Sequence, residues 1–133
     1  MKQLKILLVM AAALVAARAG AGDLAVICSS GVSLTAADIR AVFLGDKQFA
    51  GGVKLAPADN KALQAVFLEK VLMMDAAKYT ASWTKKSFRD GTTPPGMKNS
   101  DVEIIEYVKH TPGACGYVSG ADAPAGTALI GKF

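Results

Sequence analysis

The most constraining feature of this chain is an alternation. Short continuous apolar runs that end in turn residues take turns with segments whose apolar residues recur every three or four positions. Leu24-Ala25-Val26-Ile27-Cys28 runs into Ser29-Ser30-Gly31 and reads as a buried strand entering a turn. Leu34 to Gly45 reads as a helix: Thr35 stands three residues before Asp38, Ile39, Val42 and Phe43 share a face, and Gly45 is a C-terminal stop. Val53 to Ala56 alternates in polarity as a second strand, and Pro57 to Asn60 ends it, with Asp59 or Asn60 as the cap of the next helix. That helix carries Leu63, Val66, Phe67, Val71 and Met74 on one face. Asp75 caps a further helix bearing Tyr79 and Trp83, and at helical spacing these two rings read as core rather than as a binding platform. Ser100 begins another helix, with Val102, Ile105 and Val108 as the expected inward stripe. Ala114 to Ser119 and Ala128 to Phe133 read as the last strands. Strands joined by helices predict an α/β fold with a largely parallel sheet flanked by helices.

The N-terminus is of another kind. Lys2 and Lys5 precede an uncharged apolar run from Ile6 to Ala17, and small residues follow from Ala17 to Gly22. This is the order of a secretory signal peptide. The run is too short for a bilayer, which takes about 20 residues. Cleavage after Ala19 or Ala21 satisfies the small-x-small rule, and a cut after Ala21 leaves 22–133 as a single lobe-sized domain. The expected location is therefore periplasmic or secreted, with no membrane anchor in the mature chain. The leader also takes Lys2, Lys5 and Arg18 with it. A balance of 15 basic and 11 acidic residues becomes 12 against 11, which removes the case for nucleic acid as a partner.

Cys28 and Cys115 remain. In an oxidising compartment they can form a disulfide; each also lies in an apolar run where a buried thiol would be at home. One histidine and no Cys-x-x-Cys give no metal site, and no cofactor motif is present. His110 at a helix end, serines outside a Gly-x-Ser-x-Gly elbow and the outward Glu103 and Glu106 do not compose an active site, so no enzyme is expected.

Two stretches carry a resemblance. Leu34-Thr-Ala-Ala-Asp-Ile-Arg-Ala-Val-Phe-Leu-Gly45 and Val108-Lys-His-Thr-Pro-Gly-Ala-Cys-Gly-Tyr-Val118 are similar to segments of phosphate-type periplasmic solute-binding proteins, with Cys115 at a usually aliphatic position. The resemblance implies a type II periplasmic-binding-protein-like fold, and only the second of that family's two lobes. It also implies an anion site at the strand-to-helix junction, where the family carries an Arg and a Ser-Gly-Thr run. This chain has Ala56-Pro57-Ala58-Asp59-Asn60-Lys61-Ala62 there, without Arg, Ser or Thr.

What survives for an oxyanion such as phosphate is Ser29 and Ser30 after the first strand, and a helix start with Asp59, Asn60 and Lys61. An ordinary capped helix and serine turn account for the same residues, and Asp59 would repel an anion. The other expectation is an interaction module: a lone lobe exposes the surface its missing partner would cover, for self-association or for an envelope protein.

Overall fold

The computed structural model describes residues 24–120 and 122–133; the expected leader and its cleavage sites lie outside them. Seven strands and four α-helices follow in order: β1 (Leu24–Ser29), α1 (Ile39–Phe43), β2 (Phe49–Ala50), β3 (Val53–Lys54), β4 (Ala56–Asn60), α2 (Gln64–Phe67), α3 (Ala76–Asp90), β5 (Gly96–Lys98), α4 (Asp101–His110), β6 (Ala114–Ser119) and β7 (Thr127–Lys132). The central sheet has the order β5-β4-β6-β1-β7, and β2 with β3 forms a separate hairpin. β4 pairs in parallel with β5 and β6, whereas β1 pairs antiparallel with both β6 and β7. Four strands therefore point one way and β1 alone runs against them, so the sheet is largely parallel, as the alternation predicts.

Strand periodicity divides the core. Leu24, Val26 and Cys28 face one side with Phe43, Phe67, Trp83 and Tyr117. Ala25 and Ile27 face the other with Ile104, Val108 and Val118. Helices α1 to α3 cover the first face and α4 the second, giving three layers. The larger core centres on an aromatic trio. Phe67 stacks on Tyr117 at 3.9 Å between ring centroids, and Phe43 meets Phe67 edge-on at 4.8 Å.

Local signals explain the element ends. Asp38 accepts the backbone N–H and hydroxyl of Thr35 at 2.9 and 3.0 Å, opening a 3₁₀ turn (Ala36–Asp38) that leads into α1. These bonds hold the Asp38 carboxyl below its ordinary pKa. Gly45 stops α1 at φ 77°, where an added Cβ would strike the Trp83 ring. Asp75 caps α3 through the Lys78 N–H at 2.8 Å, and Ser100 caps α4 through Glu103 N–H at 3.3 Å.

The expected helix over 62–74 is different in detail. β4 continues to Asn60, α2 has only four residues, and a π-helical turn (Leu68–Leu72) follows, ended by Met73 at φ 54°. The wider turn changes the helical phase, so Phe67, Leu68 and Leu72 face inward and Val66 is exposed. On α4 the inward pair is Ile104 and Val108; Val102, expected inward, is exposed because it lies two residues before Ile104 and so on another face. Pro57 sits in an inner strand without harm. Ala56 turns its N–H to Gly113 in the β6 direction, so position 57 faces the β5 side, where pairing starts only at Ala58.

Candidate functional site

The residues expected to hold an oxyanion are split by the direction of β1. Ser29 and Ser30 lie at the end of a strand that opposes the rest, beside the N-terminal end of β6. Asn60 and Lys61 lie at the carboxyl end of β4. The two groups stand at opposite edges of the sheet, about 15 Å apart at the usual rise per residue, and do not form one site. The Ser29 hydroxyl is buried among three carbonyl oxygens, those of Val108 (2.9 Å), Thr111 (2.5 Å) and Ala114 (3.3 Å), where it ties the end of α4 to β1.

At the other edge the donors are spent. Asn60 is fully buried; its amide donates to the Asp101 carboxylate at 2.7 Å and to the Tyr117 carbonyl at 3.0 Å. Its Oδ1 accepts the Ala62 N–H at 3.1 Å. The Lys61 N–H donates to Lys98 and the Leu63 N–H to Asn60. Asp101 also accepts the Ser119 N–H at 3.1 Å and the Ser119 hydroxyl. The chain's own carboxylate thus sits at the crevice outside the strand ends where an anion would bind in such a fold. Lys61 is exposed.

Asp59 does something the sequence did not announce. It is neither a cap nor a surface charge but 2% exposed, and it accepts one hydrogen bond on each oxygen: Tyr79 on Oδ2 and Tyr117 on Oδ1, both at 2.8 Å. One carboxylate thereby joins β4, α3 and β6. Burial raises its pKa, and the two phenols, with the Gln64 side chain beside them, pull it only part of the way back. Burial likewise raises both phenols, and the Asp59 charge raises them further. The signal that could have found this hub is the pair of tyrosines at inward positions, since a buried phenol needs a partner.

Above Asp59 a groove of about 640 Å³ opens between α3 and β5. Its apolar wall is Tyr79, Trp83, Phe88, Pro94, Pro95 and Met97, neutral polar side chains such as Gln64 and Thr80 complete it, and among the described residues Asp59 is the one charged side chain in its lining. It runs along the edge strand β5, from Pro94 and Pro95 before that strand begins to Asp59 near the carboxyl end of β4. Among the described residues no three His, Cys, Asp or Glu side chains gather as metal ligands. His110 is exposed and pairs with Glu106 at 3.1 Å, a surface contact.

The Asp59 carboxyl gives a pH signature. With its folded pKa raised, the native state keeps a proton that the unfolded state has already lost, so stability falls as pH rises from the ordinary carboxylate value through the raised one. Asp59→Asn is expected to remove that downward slope, as read by urea denaturation at a series of pH values. Identical pH profiles for the two proteins would show that Asp59 ionises as if exposed.

No protein-family model matches the sequence, and no curated protein matches it significantly. Solved structures do. A protein assigned as a phosphate ABC transporter substrate-binding protein from Clostridium perfringens, determined with bound phosphate, superposes on 83% of this chain with a TM-score of 0.63 and 14% identity. PstS from Borrelia burgdorferi superposes on 74% with a TM-score of 0.52 and 16% identity. An ABC-type phosphate transport receptor from Vibrio cholerae superposes on 83% with a TM-score of 0.50 and 14% identity. The fold is that of one lobe of a substrate-binding protein. The chain spans 44%, 41% and 46% of those three chains, less than half of each. At such identity the likeness establishes the fold, and the site must be argued from the residues present.

Proposed function

We propose that this chain is an exported solute-binding lobe whose ligand occupies the groove over Asp59 and is not an oxyanion. The observation that carries this reading is the chemistry of the crevice. Its wall is mostly apolar with Gln64, Thr80, Thr84 and Ser87 as neutral polar members, its floor is a carboxylate, no cation lines it among the described residues, and the backbone donors at the end of β4 are already bonded to Asn60 and Lys98. Export is supported by the leader-like N-terminus and by the pairing of Cys28 with Cys115, which suits an oxidising compartment. No described helix is long and apolar enough to cross a membrane.

Phosphate is the ligand that likeness alone would nominate, since the Clostridium perfringens protein holds it. Here it would meet the Asp101 and Asp59 carboxylates with Lys61 as a mobile point charge. Thermal melts at millimolar phosphate or sulfate, against a chloride control, are expected to superimpose. A saturable rise with phosphate that Lys61→Ala abolishes would overturn the proposal in favour of a weak oxyanion site. The second reading is a module for self-association or for an envelope partner, favoured by Phe88, which is 96% exposed on the rim of the same groove.

A further inference from the structure

The groove has a charge but no counter-charge. Among the described residues Asp59 is the only charged residue that lines it; the Lys86 ammonium stands 5.9 Å from the Trp83 ring centroid but is bonded to the Leu44 carbonyl and the Asp46 carboxylate. Lys98, the last residue of β5, lies with its ammonium 4.6 Å from the Tyr107 ring centroid and so is engaged elsewhere. Tyr79 and Tyr117 neutralise none of the Asp59 charge; they hold the carboxylate in place with one phenol on each oxygen. The two oxygens together offer about four lone-pair sites, and with Gln64 as a third donor they retain capacity for one more. Around it stand the Tyr79 and Trp83 rings, with Phe88 at the rim.

Each ligand class fares differently in such a place. An anion is repelled by the floor. A neutral apolar molecule fills the walls but leaves the buried carboxylate uncompensated. An organic ammonium ion satisfies both, because its charge pairs with the carboxylate and its carbon skeleton lies against aromatic faces that attract cations.

From this geometry we infer that the groove binds an organic ammonium ion, with Asp59 as its counter-ion and the Tyr79, Trp83 and Phe88 rings as its apolar cradle. The raised pKa of Asp59 agrees with a carboxyl that lacks a cation in the free protein. This inference rests on the groove being the ligand site, and goes beyond it by naming the charge and class of the ligand.

Trp83 is the only tryptophan in the chain and lines the groove, so its fluorescence reports occupancy directly. The probes are 2-phenylethylamine as the ammonium ion, 2-phenylethanol as its neutral analogue and phenylacetate as the anion, at neutral pH. The ammonium probe is expected to change Trp83 emission saturably and to bind at least about tenfold more tightly than the alcohol, the size of a hydrogen bond to a charged group. Phenylacetate is expected to give no saturable change. Asp59→Asn is expected to erase the preference of amine over alcohol. Should that variant fold poorly, Phe88→Ala provides a second arm: its side chain is exposed, so the melting temperature of the free protein is expected to hold while binding of the amine weakens.

Equal affinity for amine and alcohol would overturn the ammonium assignment and leave the groove as an apolar site. An unchanged emission with all three probes would overturn it as well, and together with a phosphate-dependent melt would remove the groove reading too.

Discussion

Replacing Cys28 and Cys115 together by alanine is expected to lower stability by about 4–5 kcal/mol. In the structure the two residues face each other in the β1–β6 register, with Cα atoms 4.0 Å apart and sulfurs bonded. The bridge spans a sequence separation of 87, so it closes most of the folded domain into one loop. In the chain-entropy account its main effect is on the unfolded ensemble, which loses the conformations in which β1 and β6 wander apart. That restriction is large here because β1 begins the domain and β6 nearly ends it. For a domain of this size the loss corresponds to a melting temperature lower by about 20 °C. Thermal melts with and without a phosphine reductant, and urea titrations of the double alanine variant, measure it. Reduced and oxidised chains that melt together would show that β1 and β6 hold their register without the bond.

That bond also marks the line between what the sequence shows and what it hides. Cys28 and Cys115 each sit in a visible apolar run, but whether two runs pair, and in which direction, is a non-local fact. The strand at 24–29 is legible; its antiparallel placement between β6 and β7 is not, and that placement separates Ser29 and Ser30 from Asn60 and Lys61. The caps at Thr35, Asp75 and Ser100 were legible because a cap is a contact between residues three apart. Val66 lies off the inward face because the π-helical turn after it breaks the 3.6-residue period. Asp59 was legible as an acid next to a helix start and illegible as a hub, since its two partners lie 20 and 58 residues away. The groove itself needs α3, β4 and β5 to be placed together before it exists at all.

The other large effect is expected at Tyr117, which packs in the core and holds the carboxylate at the floor of the groove. Its ring is fully buried, stacked on Phe67 with an interplanar angle of 10° and tilted against Phe43 at 5.7 Å. Its hydroxyl donates to Asp59. Tyr117→Ala is expected to cost about 4–8 kcal/mol: a cavity of the kind that costs about 3–5 for an aromatic ring, and a buried carboxylate left one donor short, at about 1–3. Tyr117→Phe keeps the stack and removes only the donor, so its cost is expected to fall in the range of about 1–3 kcal/mol. The gap between the two variants therefore measures the aromatic trio, and the cost of the phenylalanine variant measures the hub. Urea denaturation at constant m-value separates them. A phenylalanine variant as stable as the parent would mean that Tyr79 alone suffices to hold Asp59. An alanine variant within about 2 kcal/mol of the parent would mean that Phe43 and Phe67 close over the space. In that case the floor of the groove would be soft, and a ligand meeting Asp59 would have to order the carboxylate on arrival, at a cost in affinity that a fixed one avoids.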